Sequence, residues 1–115
     1  MPDATTAKIA ALNDQARQTF GECRVVITQG VSELGKCDVA YILDKVRKYK
    51  DFTPINDPYF EHDFGSIQFG ENTIFWKIDY YDIDLQMHSP DPSDPTVTAR
   101  ILTIMLAEEY LSLIH

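Results

Sequence analysis

The chain has 115 residues, 44% of them hydrophobic and 24% charged, with six Phe, six Tyr and one Trp. That length predicts a single domain, residues 1–115, burying roughly 65% of the surface its unfolded chain exposes, and the composition excludes a disordered tail or a fibrous repeat. The net charge of −8 is unevenly divided: residues 1–50 carry six acids and eight bases, net +2, and residues 51–115 carry twelve acids and two bases, net −10.

Ile9, Leu12, Ala16 and Phe20 recur at spacings of three and four, which predicts an amphipathic helix over residues 5–20 with Asn13, Asp14, Gln15, Arg17 and Gln18 mostly on its other faces. Gly21 ends it, and the β-branched run 24–28 is a strand partly buried on both faces. Residues 32–36 are turn-like, a single helical turn being the other reading. Residues 38–49 form a second helix with Asp38 as N-cap. Lys45, Arg47, Lys48 and Lys50 gather at its end, where the helix dipole favours cations; a phosphate-binding patch is the other reading. Two prolines and an Asn-Asp pair make residues 51–59 a loop.

Residues 62–69 and 73–82, joined through Gly70-Glu71-Asn72, read as a β-hairpin. If facing residue numbers sum to an odd total, Ile67 and Phe69 share a core face with Ile74, Trp76, Ile78 and Tyr80. His62, Phe64, Gln68, Phe75, Lys77, Asp79 and Tyr81 then share the opposite face. After the proline-rich turn 89–95, Asp94 as N-cap and Pro95 at the first helical position predict a helix over 95–113. Val97, Ile101, Ile104 and Met105 would be its stripe, widened by Leu102, Leu106 and Leu113. The order αβαββα implies an α+β fold: a small three-stranded, mostly antiparallel sheet with a β-hairpin and helices packed on one face.

A field as negative as that of the second half repels phosphates, so direct binding to nucleic acid is not expected, and a basic protein partner is. No apolar run approaches the ~20 residues of a membrane helix, and the first six residues lack the basic and apolar regions of a secretory signal. A cytoplasmic location without a membrane partner is the expectation. Cys23 and Cys37 form no Cys-x-x-Cys motif and are read as reduced, half-buried thiols.

The densest cluster of chemistry-bearing residues is Asn56, Asp57, Glu61, His62 and Asp63, with Asp79, Asp82 and Asp84 from the paired strand. The odd parity puts His62 and Asp79 on one face, a carboxylate–imidazole pair suited to a metal or to acid/base work. Glu61 and Asp63 alternate away from His62, and a structural, hydrogen-bonding role for His62 and Asp63 is the competing reading. No catalytic residue, metal or cofactor is therefore assigned. Phe64, Phe75 and Tyr81, flanked by Lys77 and Asp79 on the outer hairpin face, resemble a protein-binding patch unless a helix covers them. No Gly-x-Ser-x-Gly elbow, His-Glu-x-x-His helix or glycine-rich phosphate loop is present.

Seven stretches, taken together over nearly the whole chain, carry a family resemblance. They are Ile9-Ala-Ala-Leu-Asn-Asp, Arg24-Val-Val-Ile-Thr-Gln-Gly, Asp51-Phe-Thr-Pro-Ile-Asn-Asp-Pro, Glu61-His-Asp-Phe-Gly, Phe75-Trp-Lys-Ile-Asp-Tyr-Tyr-Asp, Ser89-Pro-Asp-Pro-Ser-Asp-Pro and Arg100-Ile-Leu-Thr-Ile-Met-Leu-Ala-Glu-Glu-Tyr. The chain resembles a bacterial family known as domain of unknown function 3768, with Cys23 where the family pattern suggests Gly. The resemblance implies a short single-domain bacterial protein, often among accessory or mobile-element genes, and it supplies no activity or catalytic residues.

The leading expectation is a non-enzymatic, acidic interaction module using Asp57, Glu61, Phe64, Phe75, Asp79, Tyr81, Asp82 and Asp84. One form of it is a phage- or plasmid-borne anti-defence inhibitor that binds a basic nucleic-acid-handling protein. The alternatives are a small metal-dependent hydrolase using His62 with Asp79 or Asp57, and a self-associating module, a homo-oligomer joined through the apolar last helix.

Overall fold

The computed structural model describes residues 3–113. In chain order the elements are α1 (Ala4–Thr19), β1 (Arg24–Ile27), α2 (Gln29–Ser32), α3 (Lys36–Arg47), β2 (Phe64–Phe69), β3 (Asn72–Tyr81), β4 (Ala99–Leu106) and α4 (Ala107–Leu113). The strands form one sheet in the order β1-β4-β3-β2, with β4 antiparallel to β3 and parallel to β1. No helix among the described residues is long and apolar enough to cross a membrane.

The mixed α+β class is as expected, whereas three strands and the order αβαββα are corrected to four strands and the order above. Residues 99–106, assigned from sequence to the last helix, are a central strand. Leu102 and Ile104 on one face and Met105 on the other are all fully buried. A strand covered on both sides reads as a continuous apolar run, which hydrophobic period alone does not separate from a buried helix. The Asp94-Pro95 start signal is a turn: the Asp94 carboxylate accepts the Thr96 N–H at 2.9 Å and the Thr96 hydroxyl at 2.7 Å, and the chain then extends. Of the stripe proposed for self-association, Ile101, Leu102, Ile104, Met105 and Leu106 thus lie in the sheet and Val97 in the turn before it, while the side chain of Leu113 lies outside the described residues; the short α4 is what remains helical.

Local chemistry accounts for most of the other boundaries. The Asp3 carboxylate caps α1 by accepting the Thr6 N–H at 2.7 Å, and Phe20 closes that helix in the left-handed region. α3 begins earlier than expected, with Gly35 at φ 101° as its N-cap and Asp38 inside the first turn. The hairpin has the odd-parity register, Phe64 opposite Lys77 and Ile67 opposite Ile74, around the two-residue loop Gly70-Glu71. Gly70, at φ 59°, occupies the one position where a type II′ turn needs a left-handed residue.

The core lies on the sheet face formed by Ile74, Trp76, Ile78, Tyr80, Leu102 and Ile104, where Ile9 of α1, Val31 of α2 and Ile42 and Val46 of α3 pack. Trp76 is its centre, fully buried and edge-on to Tyr49 at 5.4 Å and Phe52 at 6.1 Å, with the Arg17 guanidinium 5.4 Å from the ring centroid. Its cross-strand neighbour is Gly65, where a Cβ would stand 2.3 Å from the indole Nε1.

Two residues placed by sequence on the outer faces of α1 are interior. Arg17 donates to the Val46 and Arg47 carbonyls, each at 3.0 Å, so a side chain from α1 joins the carbonyls at the end of α3. Asn13 donates to the Glu61 carbonyl at 2.9 Å and the Tyr80 hydroxyl at 2.7 Å and accepts from Arg100 Nε at 2.8 Å. At the opposite end of the sheet, the Glu109 carboxylate accepts from the Thr28 hydroxyl at 2.6 Å and from the Leu106 and Gly30 N–H groups at 2.8 and 3.1 Å. It joins the start of α4 to the start of α2. Burial works to raise its pKa, and the hydrogen bonds from Thr28, Leu106 and Gly30 outweigh it and hold the carboxyl below its ordinary range.

Gly65→Ala is expected to destabilise the fold by about 1–3 kcal/mol through overpacking against Trp76. Gly70→Ala, which meets no neighbouring atom and carries only backbone strain, costs about 1 kcal/mol. Urea unfolding of the two variants gives the order. Because Glu109 has a lowered folded-state pKa, its contribution is present above the ordinary glutamate range and disappears as pH falls through the folded value; Glu109→Gln should therefore lower stability at neutral pH and leave it nearly unchanged in strong acid.

Candidate functional site

The loop between α3 and β2 positions the first candidate cluster. Its first turn is closed by Thr53 and Asn56, the Asn56 carboxamide oxygen accepting the Thr53 N–H at 2.8 Å. Asp57 is buried and accepts the His62 N–H at 3.1 Å. His62 itself stands at φ 56°, which takes it out of the strand alternation that was used to predict its face. Its Nδ1 lies 2.9 Å from the Asp14 carboxylate and its Nε2 3.6 Å from that of Asp57, and its ring stacks on Phe52 at 4.0 Å with an interplanar angle of 3°.

The expected His62–Asp79 pair is therefore corrected: His62 is held by α1 and the loop, while Asp79 pairs with Lys77. Among the described residues there is no group of three or more His, Cys, Asp or Glu side chains that could hold a metal ion. Asp57 and Glu61, expected on the binding surface, hold the interior together instead. Glu61 accepts the Tyr80 hydroxyl at 2.7 Å, and burial followed by this bond pushes the Tyr80 pKa far above the phenol range, keeping the hydroxyl a donor. Cys23 is half-buried with its thiol pKa raised by burial, while Cys37 is exposed rather than half-buried; both are free.

The outer face of the hairpin is partly covered. Tyr110 of α4 packs on Phe64 and Phe75 with ring centroids at 5.9 and 5.6 Å, and these two rings meet each other at 5.1 Å. What α4 leaves open is the end that carries Asp79, Tyr81, Asp82 and Asp84. Asp82 ties its loop by accepting the Gln86 N–H at 2.9 Å. The same loop leaves Ile83 58% and Met87 70% exposed, with Asp84 between apolar neighbours.

Two open clefts adjoin here and share Asp63, Ile78 and Asp79 in their walls. Tyr80, Tyr81 and His88 complete one; Tyr59, Phe64, Lys77 and Tyr110 are among the residues that complete the other. Asp63 is the carboxyl common to both, its pKa pushed up to about 6 by burial first and then by the like charges of Glu61, Asp57 and Asp79. Three of the eight residues expected at a partner surface thus line the clefts, Phe64, Asp79 and Tyr81, while Asp84 is exposed on the loop that follows β3. Sequence reasoning missed Tyr59 and Tyr110 as cleft residues. Tyr59 lay in a loop without periodicity, and Tyr110 was assigned to a helix that the structure replaces with a strand and a single short helix.

A family model described as Protein of unknown function (DUF3768) matches residues 27–109. The chain belongs to this family. The matched span contains the shared walls of both clefts, Asp63 and Asp79, and leaves α1 with Asn13, Asp14 and Arg17 outside it. The searches of curated proteins and of solved structures each found no match.

A raised folded-state pKa means that Asp63 contributes most to stability when protonated, an advantage lost as pH rises through about 6. Asp63→Asn should accordingly stabilise the protein above neutral pH and lose that gain once the medium is acid enough to protonate the wild-type carboxyl. Thermal melts across this range check the crossover.

Proposed function

We propose that the chain is a non-enzymatic protein-interaction module whose acidic, aromatic-walled clefts take arginine or lysine side chains of a basic partner. The observation that carries this reading is the sharing of Asp63 and Asp79 by two clefts edged by Tyr59, Phe64, Tyr81 and Tyr110. A guanidinium or ammonium group gains from carboxylates and from ring faces together, and a partly desolvated seat strengthens both terms. The neighbouring Ile83 and Met87 supply the apolar contact from which a protein interface draws most of its energy. The net charge of −10 over residues 51–115 would steer a basic protein toward this end of the molecule. A nucleic-acid-handling protein has the surface charge required, which is why inhibition of such a protein remains the biological role we attach to the site.

The test uses a fluorescein-labelled Gly-Arg repeat peptide followed by anisotropy. Affinity is expected to fall with salt and to fall again as pH drops through about 6, where Asp63 takes up its proton. Asp79→Lys with Asp84→Lys should abolish binding with little change in melting temperature, and Asp63→Asn should remove the pH step. Binding that survives the double charge reversal would reject this surface.

A further inference from the structure

The cations at the end of α3 lie outside the surface just described. Their sequence-level explanation was compensation of the helix dipole. In the structure Arg17, reaching over from α1, already donates to the Val46 and Arg47 carbonyls there. Lys45, Lys48 and Lys50 are left exposed at the surface. Lys45 rests over the Tyr41 ring at 5.3 Å and Lys48 pairs with Asp44 at 3.1 Å, while Lys50 has no ion pair among the described residues.

These three lysines and Asp51 line one groove together with Ser66, Ile67 and Gln68 of β2. β2 is one of the two edges of the sheet, paired with β3 alone among the described residues. The Ile78 N–H donates to the Asp63 carbonyl at 2.9 Å, so the hydrogen-bonded pairs of this ladder fall at Asp63, Gly65, Ile67 and Phe69. By alternation the N–H and C=O groups of Phe64, Ser66 and Gln68 point away from β3, and Ser66 and Gln68 line the groove. Natural edges are guarded by charge, proline or a bulge; β2 reads Phe-Gly-Ser-Ile-Gln-Phe and its pairing with β3 runs without interruption from Phe64 to Phe69.

The geometry points to β2 as a docking edge for an extended acidic peptide of another protein, which adds a strand beside Phe64, Ser66 and Gln68 and sets its carboxylates against Lys45, Lys48 and Lys50. Main-chain hydrogen bonds would give affinity, and the lysine row would select acidic side chains at alternate positions. Asp51 is the one carboxylate lining the groove among the described residues, and it leaves the row net positive. Apart from Phe64, whose side chain lines one of the acidic clefts, this site is separate from them and opposite to them in charge, so either can fail alone.

The experiment titrates a labelled alternating Glu-Val octapeptide onto the full chain, read by anisotropy and by amide chemical shifts. Binding is expected to be salt-sensitive, to protect the amides of Phe64, Ser66 and Gln68 from exchange, and to weaken by about tenfold or more when Lys45, Lys48 and Lys50 are replaced by Glu. Ser66→Pro deletes an outward N–H without touching the ladder to β3 and should abolish binding. The same loss is expected on the unaltered protein when alternate peptide nitrogens are methylated, so the result does not depend on how that variant folds. The proposal is overturned if the methylated peptide binds as well as the parent, if the shifts map away from β2, or if inorganic phosphate or a single-stranded oligonucleotide displaces the peptide while leaving the β2 amides unprotected, which would mark a lysine anion site only. A concentration-dependent dimer that protects the same amides in the absence of peptide would overturn it in favour of a second copy of this chain.

Discussion

The fold depends on one close approach, the indole of Trp76 laid against Gly65 across the β2–β3 ladder. With no Cβ at Gly65, the ring can stay against its own sheet and leave its edges to Tyr49 and Phe52. Those two residues bracket the exit from α3, so the start of the long loop is set by the same ring. Arg17 then finds two aromatic faces and the end of α3 within reach, with Phe52 at 5.5 Å and Trp76 at 5.4 Å from its guanidinium carbon. A buried cation of this kind is costly unless its donors are used. Here its two terminal nitrogens donate to carbonyls and to the Asp14 carboxylate and ring faces flank the group, while Nε has no hydrogen-bond partner among the described residues.

From that centre the polar interior extends in a chain. Arg17 and His62 share Asp14, His62 reaches Asp57, and Asn13 links Glu61, Tyr80 and Arg100. The charged residues used inward, Asp57 and Glu61, are those that sequence had counted toward a surface. Those left outward are Asp79 and Asp84, with Asp63 between the two regimes and its proton affinity raised accordingly. The surface proposed for binding is what remains after the interior has taken its polar partners, and that selection is made by packing.

Opposite charges are segregated on the finished molecule. The acidic clefts lie at the Asp79 end of β3, and the lysine row lies beside β2 at the end of α3. Segregation on this scale suits a protein that engages partners of different charge through different edges of one sheet. Both surfaces use simple chemistry, a carboxylate between rings in one case and an open ladder beside ammonium groups in the other.

Several features were legible in the sequence for identifiable reasons. The hairpin register was readable because side chains alternate with a period of two, so one parity argument placed Ile74, Trp76, Ile78 and Tyr80 on the buried face. Helix α1, its termination near Phe20, and the irregular loop through Pro54 and Pro58 followed from spacing and turn chemistry that act over a few residues. The uneven distribution of charge was likewise a property of the chain alone. Tertiary structure decided the rest. Residues 101–106 became a strand because β1 and β3 were available to pair with both of its edges, and no local window contains that information. His62 turned toward Asp14 because one left-handed residue broke the alternation, and Asn13 and Arg17 went inward because partners from α3, the loop and β4 met them there. Local periodicity records which residues avoid water, whereas the partner that satisfies a buried polar group is set by segments distant in the chain.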